Sequence, residues 1–339
     1  MLTDTQLTYA GAEIARLLAL ATSATCVSAP AGTQFVHLIA TTGVVARSWT
    51  KRTPFPGEAN VAHVTKPARE SAAYPERMYF VGVDLAWGVR NPTGVAVVDS
   101  DGRLVHVGAV REDADVLDAM QPYVQGDCLV AFDAPLVVTN RTGQRPAETA
   151  FNRDFRRFEA GAHPANTGKP EFADGPRAAQ LARRLGLDMD PRSSAARRAI
   201  EVYPHPATVA LFRLPRTLKY KAKPGRGLDQ LKSELLLLMD GVEGLAHASV
   251  PLQVAGPDWA ELRRQVLTAQ RKSHLRRAED PIDAVVCAYV ALYAERCPDG
   301  VTIYGDFATG YIVTPSLPSD LTPAIRSAPD AGRWVRGPR

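Results

Sequence analysis

Carboxylates stand at four points of this 339-residue chain where apolar text would be expected. Asp84 closes Val81-Gly82-Val83-Asp84, Asp133 follows Leu129-Val130-Ala131-Phe132, and Glu201 sits within Ile200-Glu201-Val202-Tyr203. Asp280 and Asp283 flank Pro281-Ile282 at the head of a long apolar run. An ionised carboxylate in such a setting is costly unless a partner or a bound cation neutralises it. One case is explained by a cap or a buried ion pair; four at the ends of elements point to a shared site. Crowded carboxylates repel one another, and hard oxygen donors suit Mg²⁺ or Mn²⁺. Two such ions about 3.5–4 Å apart can activate a water and stabilise the leaving oxygen in phosphodiester cleavage. The expected metal ligands are Asp84, Asp133, Glu201, Asp280 and Asp283, with a helix cap ahead of Pro281 as the other reading of Asp280. Neutralising Asp283 is then expected to relieve repulsion when no metal is bound.

Two further groups extend the catalytic set of Asp84, Asp133, Glu201 and Asp283. His205, after Tyr203-Pro204, could shuttle a proton or contact phosphate, although a lone His at a strand end is more often structural. In Lys219-Tyr220-Lys221 the lysines could bind phosphate and the tyrosine could stack on a base; a solvated basic loop is the bland alternative. Its position after Glu201 favours Lys221 near the site. Asn140, Arg145, Asn152, Gly161, His163 and Asn166 could line a cleft above the acids, or serve ordinary turns.

The elements needed to position these groups are legible from residue 78 onward. Residues 78–85 form an apolar, β-rich run, and 94–99 a second strand. Ser100-Asp101-Gly102 turns the chain into a third strand over 104–110. A helix over 113–124 and a short buried strand over 128–132 follow. Three antiparallel strands, a crossover helix and a fourth strand beside the first bring Asp84 and Asp133 to one end of a sheet. Residues 136–197 read as a polar insert with helices near 147–159 and 175–185. A fifth strand over 199–203 is expected to stop at Pro204 and Pro206. Helices are expected over 228–239, 259–271 and 281–296, the last with Pro281 in its first turn, then a hairpin of 301–304 and 310–313. Residues 316–339 read as a loose tail. Residues 1–77 carry one short amphipathic helix near 5–21 and otherwise weak patterning; they read as an appendage, or as text ahead of the native start.

Taken together, GVDLAWG…TGVAVVD, AFDAPL, EVYPHPA and DPIDAVVCAYVA resemble the family of predicted ribonuclease-H-like nucleases known as domain of unknown function 429. The resemblance covers about residues 78–315. It implies a ribonuclease-H-like α/β fold, a mixed five-stranded sheet flanked by helices with a helical insert after the fourth strand. In that superfamily the first-strand Asp, the fourth-strand acid and an Asp on the last helix bind catalytic metal, which here implies Asp84, Asp133 and Asp283. The Asp-x-x-Asp-Ala pattern of 280–284 also resembles the final helix of Holliday-junction resolvases.

Bulk properties agree with a polyanion partner. The net charge of +4 conceals twelve Lys or Arg against three Asp or Glu between residues 177 and 226. A second patch, 261–277, holds six against one and reads as a solvated helical face or a nucleic-acid track. Cys26, Cys128, Cys287 and Cys297 form no C-x-x-C pair and read as idle thiols of a reducing compartment. No apolar run reaches the roughly 20 residues of a membrane span, and the segment ahead of 17–29 has the wrong polarity for a signal peptide. The expected protein is a cytoplasmic, metal-dependent nuclease or phosphodiesterase acting on nucleic acid, with no membrane partner. DNA, RNA and nucleotide remain equal candidates, and the oligomeric state is open. Two rivals are an ATP-dependent phosphotransferase of the actin-like and sugar-kinase superfamily and a non-catalytic nucleic-acid-binding module. Asp84 is followed by Leu85-Ala86-Trp87-Gly88 and Asp133 by Ala134-Pro135-Leu136; the second site has no Gly-rich phosphate loop, which counts against the phosphotransferase.

Overall fold

The text 78–132 alternates short β-rich runs with turn residues, and each run becomes a strand. The computed structural model describes residues 78–86 and 91–324. The helix expected near 5–21, the rest of 1–77, Trp87 to Arg90 and the end of the tail lie outside the described residues. Strands β1 (Tyr79–Asp84), β2 (Thr93–Asp99) and β3 (Leu104–Val110) form an antiparallel meander. Helix α1 (Asp113–Met120) crosses over, and β4 (Cys128–Phe132) runs parallel to β1. Strand β5 (Arg197–Glu201) pairs parallel with β4, giving a five-stranded mixed sheet in the order β3-β2-β1-β4-β5. β1, β2 and β4 are buried along nearly their whole length, as strands covered on both faces must be.

The segment between β4 and β5 carries α2 (Pro146–Phe155) and α3 (Arg177–Arg184). Phe151, Phe155 and Phe158 form a separate apolar cluster with Val209 and Ile312, which fastens this insert beside the sheet. After β5 the chain enters α4 (Pro204–Leu211). The two prolines expected only to stop the strand lie in the first turn of this helix, where the missing N–H would have had no intrahelical partner. Helices α5 (Leu228–Gly244), α6 (Pro257–Thr268) and α7 (Lys272–Arg296) follow, then the hairpin β6 (Val301–Asp306) and β7 (Gly310–Pro315). Beyond β7, Ala324 N–H donates to the Pro215 carbonyl at 2.8 Å, and Asp320 pairs with Arg213 at 2.5 Å.

Helix α7 is the centre of the core. Its residues from Pro281 to Leu292 are all buried, and all but Asp283 are apolar, as in a helix enclosed by protein. It begins nine residues before Pro281, which therefore lies inside the helix and not in its first turn. The cap reading of Asp280 falls with it. Two strand glycines let α7 lie directly on the sheet. A Cβ on Gly82 would stand 2.0 Å from the Ala284 carbonyl oxygen, and one on Gly94 would stand 2.0 Å from the Asp280 carbonyl oxygen. Glycine within a strand marks such a close backbone approach. Among the described residues no helix is long and apolar enough to cross a membrane.

Candidate functional site

The register of β1 and β4 decides which acids meet. Val83 stands opposite Phe132, so Asp84 and Asp133 leave their strands side by side, and the Asp133 N–H donates to the Val83 carbonyl at 2.8 Å. Side chains alternate between faces along a strand, so Gly82 and Asp84 share the face that α7 covers. The helix thereby brings Asp280 and Asp283, three residues apart, against Asp84.

Lys221 is the cation of this cluster. Its Nζ lies 2.6 Å from Asp283 Oδ2, 3.3 Å from Asp84 Oδ2 and 3.5 Å from Asp280 Oδ1. The contact to Asp283 is an ion pair and not a well-directed hydrogen bond. The other oxygen of Asp283 accepts from the Tyr220 hydroxyl at 2.6 Å. Asp283 is 1% exposed, so both contacts are shielded from water. Tyr220 is equally buried and cannot stack on a base; its apolar neighbours and its bond to Asp283 hold it inside. The hydroxyl also lies 3.2 Å from His205 Nδ1, with the two rings stacked at 5.0 Å.

Charge is out of balance here. Four carboxyls face one ammonium, so full ionisation would leave excess negative charge in a dry setting. Burial raises Asp84 to about 7, with Lys221 offsetting part and Asp283 and Asp280 adding to it. Asp133 is raised well above the ordinary carboxyl value by burial and then by Asp84. Burial alone would lower the Lys221 ammonium, yet Asp283 and Asp84 together hold it well above its usual value. His205 is pushed down to about 4 by burial, so it is neutral near pH 7.

Glu201 does not join the four aspartates. It stands opposite Phe132 in the β4–β5 register, one residue short of Asp133, so the pleat turns it to the other face. There its carboxylate accepts two hydrogen bonds from Arg145, at 2.5 and 2.9 Å, and one from the Leu136 N–H at 2.9 Å. Arg145 is 1% exposed and also pairs with Glu148 at 2.9 Å. Glu148 in turn accepts from the Ala165 N–H at 3.0 Å. This network ties the insert to β5 and fixes the chain that leaves Asp133.

Asp84, Asp133 and Asp280 line a half-open cleft of about 730 Å³, with Asp283 buried behind them. Arg145, Gly161 and His163 of the insert line it, as do Glu201, His205, Lys219 and Lys221. Asn140, Asn152 and Asn166 instead hold the insert's own turns, through Thr142, Gly143 and Ala162. Two of the six bases of the second patch are spent on neighbours: Arg263 pairs with Asp240 and Glu243, and Arg264 with Glu261. Sequence reasoning missed Glu279, which lines the cleft from α7. It precedes Asp283 by one helical turn, a relation visible only if the helix is continued back through Pro281.

A sequence model of the family described as protein of unknown function (DUF429) matches residues 82–308. The chain belongs to this family. No curated protein and no solved structure matches it. The matched segment begins within β1, ends within the β6–β7 hairpin and contains each residue of the aspartate cluster.

The residues present can be tested against a divalent ion. All-carboxylate oxygen donors suit a hard cation, and burial, with like charge beside it, raises the proton affinities of Asp84 and Asp133. The spacing, however, is that of a set closed around an ammonium. Among the described residues no group of three or more His, Cys, Asp or Glu side chains is arranged to hold a metal ion as it stands. The donor chemistry therefore fits, with Lys221 in the place where charge is needed.

Proposed function

We propose that this cleft belongs to a metal-dependent nuclease or related phosphodiesterase on a ribonuclease-H-like fold. The observation that carries the reading is the meeting of Asp84, Asp133 and Asp283, from two strands and a helix, at one end of the sheet. The strand order, with three antiparallel strands and a fourth parallel to the first, agrees with that fold. Asp84, Asp133 and Asp283 would hold Mg²⁺ or Mn²⁺, with Asp280 beside them. A divalent ion there would supply positive charge to a phosphodiester and acidify water. Glu201 acts at one remove, through Arg145, by positioning the segment after Asp133.

The chain's own groups have definable tasks. Lys221 neutralises the aspartates in the free protein. Once released from them it remains in the cleft as a phosphate partner. Tyr220 fixes the orientation of Asp283 by donating to one of its oxygens. His205, neutral near pH 7, can accept a proton or a hydrogen bond through the nitrogen not facing Tyr220. The basic residues around the cleft attract a polyanion, an effect that salt weakens.

The full-length protein, assayed with Mg²⁺ or Mn²⁺ on single- and double-stranded DNA and RNA, should show metal-dependent cleavage. Asp84→Asn and Asp283→Asn should abolish it. Absence of both cleavage and metal-induced stabilisation would overturn the reading. The central seat of Lys221 favours one second reading, a non-catalytic nucleic-acid-binding module, which predicts binding that EDTA leaves unchanged. An ATP hydrolysis assay run beside these tests the phosphotransferase, which the lack of a Gly-rich loop disfavours.

A further inference from the structure

We propose that the cleft receives one nucleotide at a time, free or at a strand end, and not the side of a duplex. The proposal rests on the phosphodiesterase reading for its chemistry, but not for binding. Its first support is enclosure. The insert and the segment carrying Lys221 are joined above the aspartates: the Thr217 N–H donates to the Phe158 carbonyl at 2.8 Å, and Lys219 pairs with Glu159 at 2.5 Å. Both segments line the cleft, whose volume of about 730 Å³ lies in the range of small-ligand pockets.

The second support is a buried acceptor without a donor. Glu279 is 4% exposed, lines the cleft, and its Oε1 has no hydrogen-bond partner among the described residues. Leaving such an atom unpaired is costly, and a ligand donor would remove that cost. Ribose hydroxyls and the exocyclic amines of bases are such donors; a bare phosphate is not. The third support is charge. Lys223, Arg226 and Arg276 line the same cleft, and Arg226 is braced by the carbonyls of Lys219 and Lys221. A ligand that satisfies this wall must carry an anionic group and neutral hydrogen-bond donors a few ångströms apart. A nucleoside monophosphate unit has both.

Calorimetry and thermal shift on the full-length protein, in EDTA and in Mn²⁺, test this with ribo- and deoxyribonucleoside 5′-monophosphates, inorganic phosphate, and short DNA and RNA duplexes. At least one mononucleotide should bind about tenfold more tightly than phosphate, and neither duplex should displace it. Glu279→Met, which removes both acceptor oxygens, should lower the preference for that nucleotide over phosphate about tenfold. Arg276→Ala, at an exposed position, should weaken both ligands. No mononucleotide binding in either condition, equal affinity for phosphate, displacement by a duplex, or unaltered affinity in both variants would overturn the proposal. Hydrolysis of bis(p-nitrophenyl) phosphate with Mn²⁺ separates the two readings. Hydrolysis without nucleotide binding sinks only the nucleotide pocket; nucleotide binding without metal-dependent hydrolysis sinks only the phosphodiesterase.

Discussion

Replacing Gly94 by Ala places one methyl group where the structure has no room for it. The added Cβ would lie 2.0 Å from the Asp280 carbonyl oxygen and 2.4 Å from its carbon. Real Cβ atoms do not approach heavy atoms within 3.0 Å, so the strand and α7 must separate by about 1 Å. The obstacle is helix backbone, which cannot rotate aside as a side chain could. Overpacking of this kind costs about 1–3 kcal/mol. For a domain of this size that corresponds to a fall in Tm of roughly 2–12 °C. The displaced carbonyl belongs to Asp280, one turn from Asp283, so the cluster loses its spacing as well. A shift of about 1 Å in a catalytic group can cost on the order of 100-fold in rate. The assay pairs thermal melts in EDTA and Mn²⁺ with phosphodiesterase activity. Gly126→Ala serves as control, because a Cβ there meets nothing within 4 Å. Gly94→Ala with wild-type stability and an undiminished response to Mn²⁺ would refute the claim that helix-on-strand contact positions the aspartates.

Asp283→Asn removes the ion pair to Lys221 and weakens the Tyr220 bond, so the metal-free protein should lose about 1–3 kcal/mol despite reduced repulsion, reversing the expectation from sequence. It should also lose most stabilisation by Mn²⁺, and a variant that gains as much from Mn²⁺ as wild type removes Asp283 from the ligand set. Arg145→Met strands Glu148 and Glu201 without their buried partner and should cost about 3–5 kcal/mol by denaturant unfolding. A loss below about 1 kcal/mol would show that the network is not the anchor of the insert. Stability in EDTA should fall as pH rises from about 6.5 to 8. Asp84 and Glu279, each raised to about 7, keep their protons in the folded state to higher pH than in the unfolded chain, so rising pH disfavours folding until both have ionised. His205, lowered to about 4, drives the opposite trend between about pH 4 and 6.5, which is why the window starts above it. Melts across that range should show a slope that Asp84→Asn reduces and Mn²⁺ flattens; a slope unchanged by both would exclude Asp84 as its source.

Much of the sheet was legible because its cues are local. Period-two apolar text, the Ser100-Asp101-Gly102 turn and the short buried run before Asp133 marked β1 to β4 to within a residue or two, and the crossover rule then set Asp84 beside Asp133. Prolines misled twice. Pro204 begins a helix that was not expected, and Pro281 lies inside one, since burial of α7 along its length outweighs the loss of a single N–H.

The residue types of the site were therefore set by the sequence alone: which segments carry acids at their ends, and that such acids need a cation. What the tertiary structure decided is which of them meet. Register and pleat turn Glu201 away toward Arg145, while the glycines at 82 and 94 let α7 descend until Asp280 and Asp283 reach Asp84. Lys221 enters from a loop 137 residues distant in sequence from Asp84. Such contacts leave no trace in local periodicity, because they depend on which faces of separate elements are pressed together and on how closely their backbones can approach.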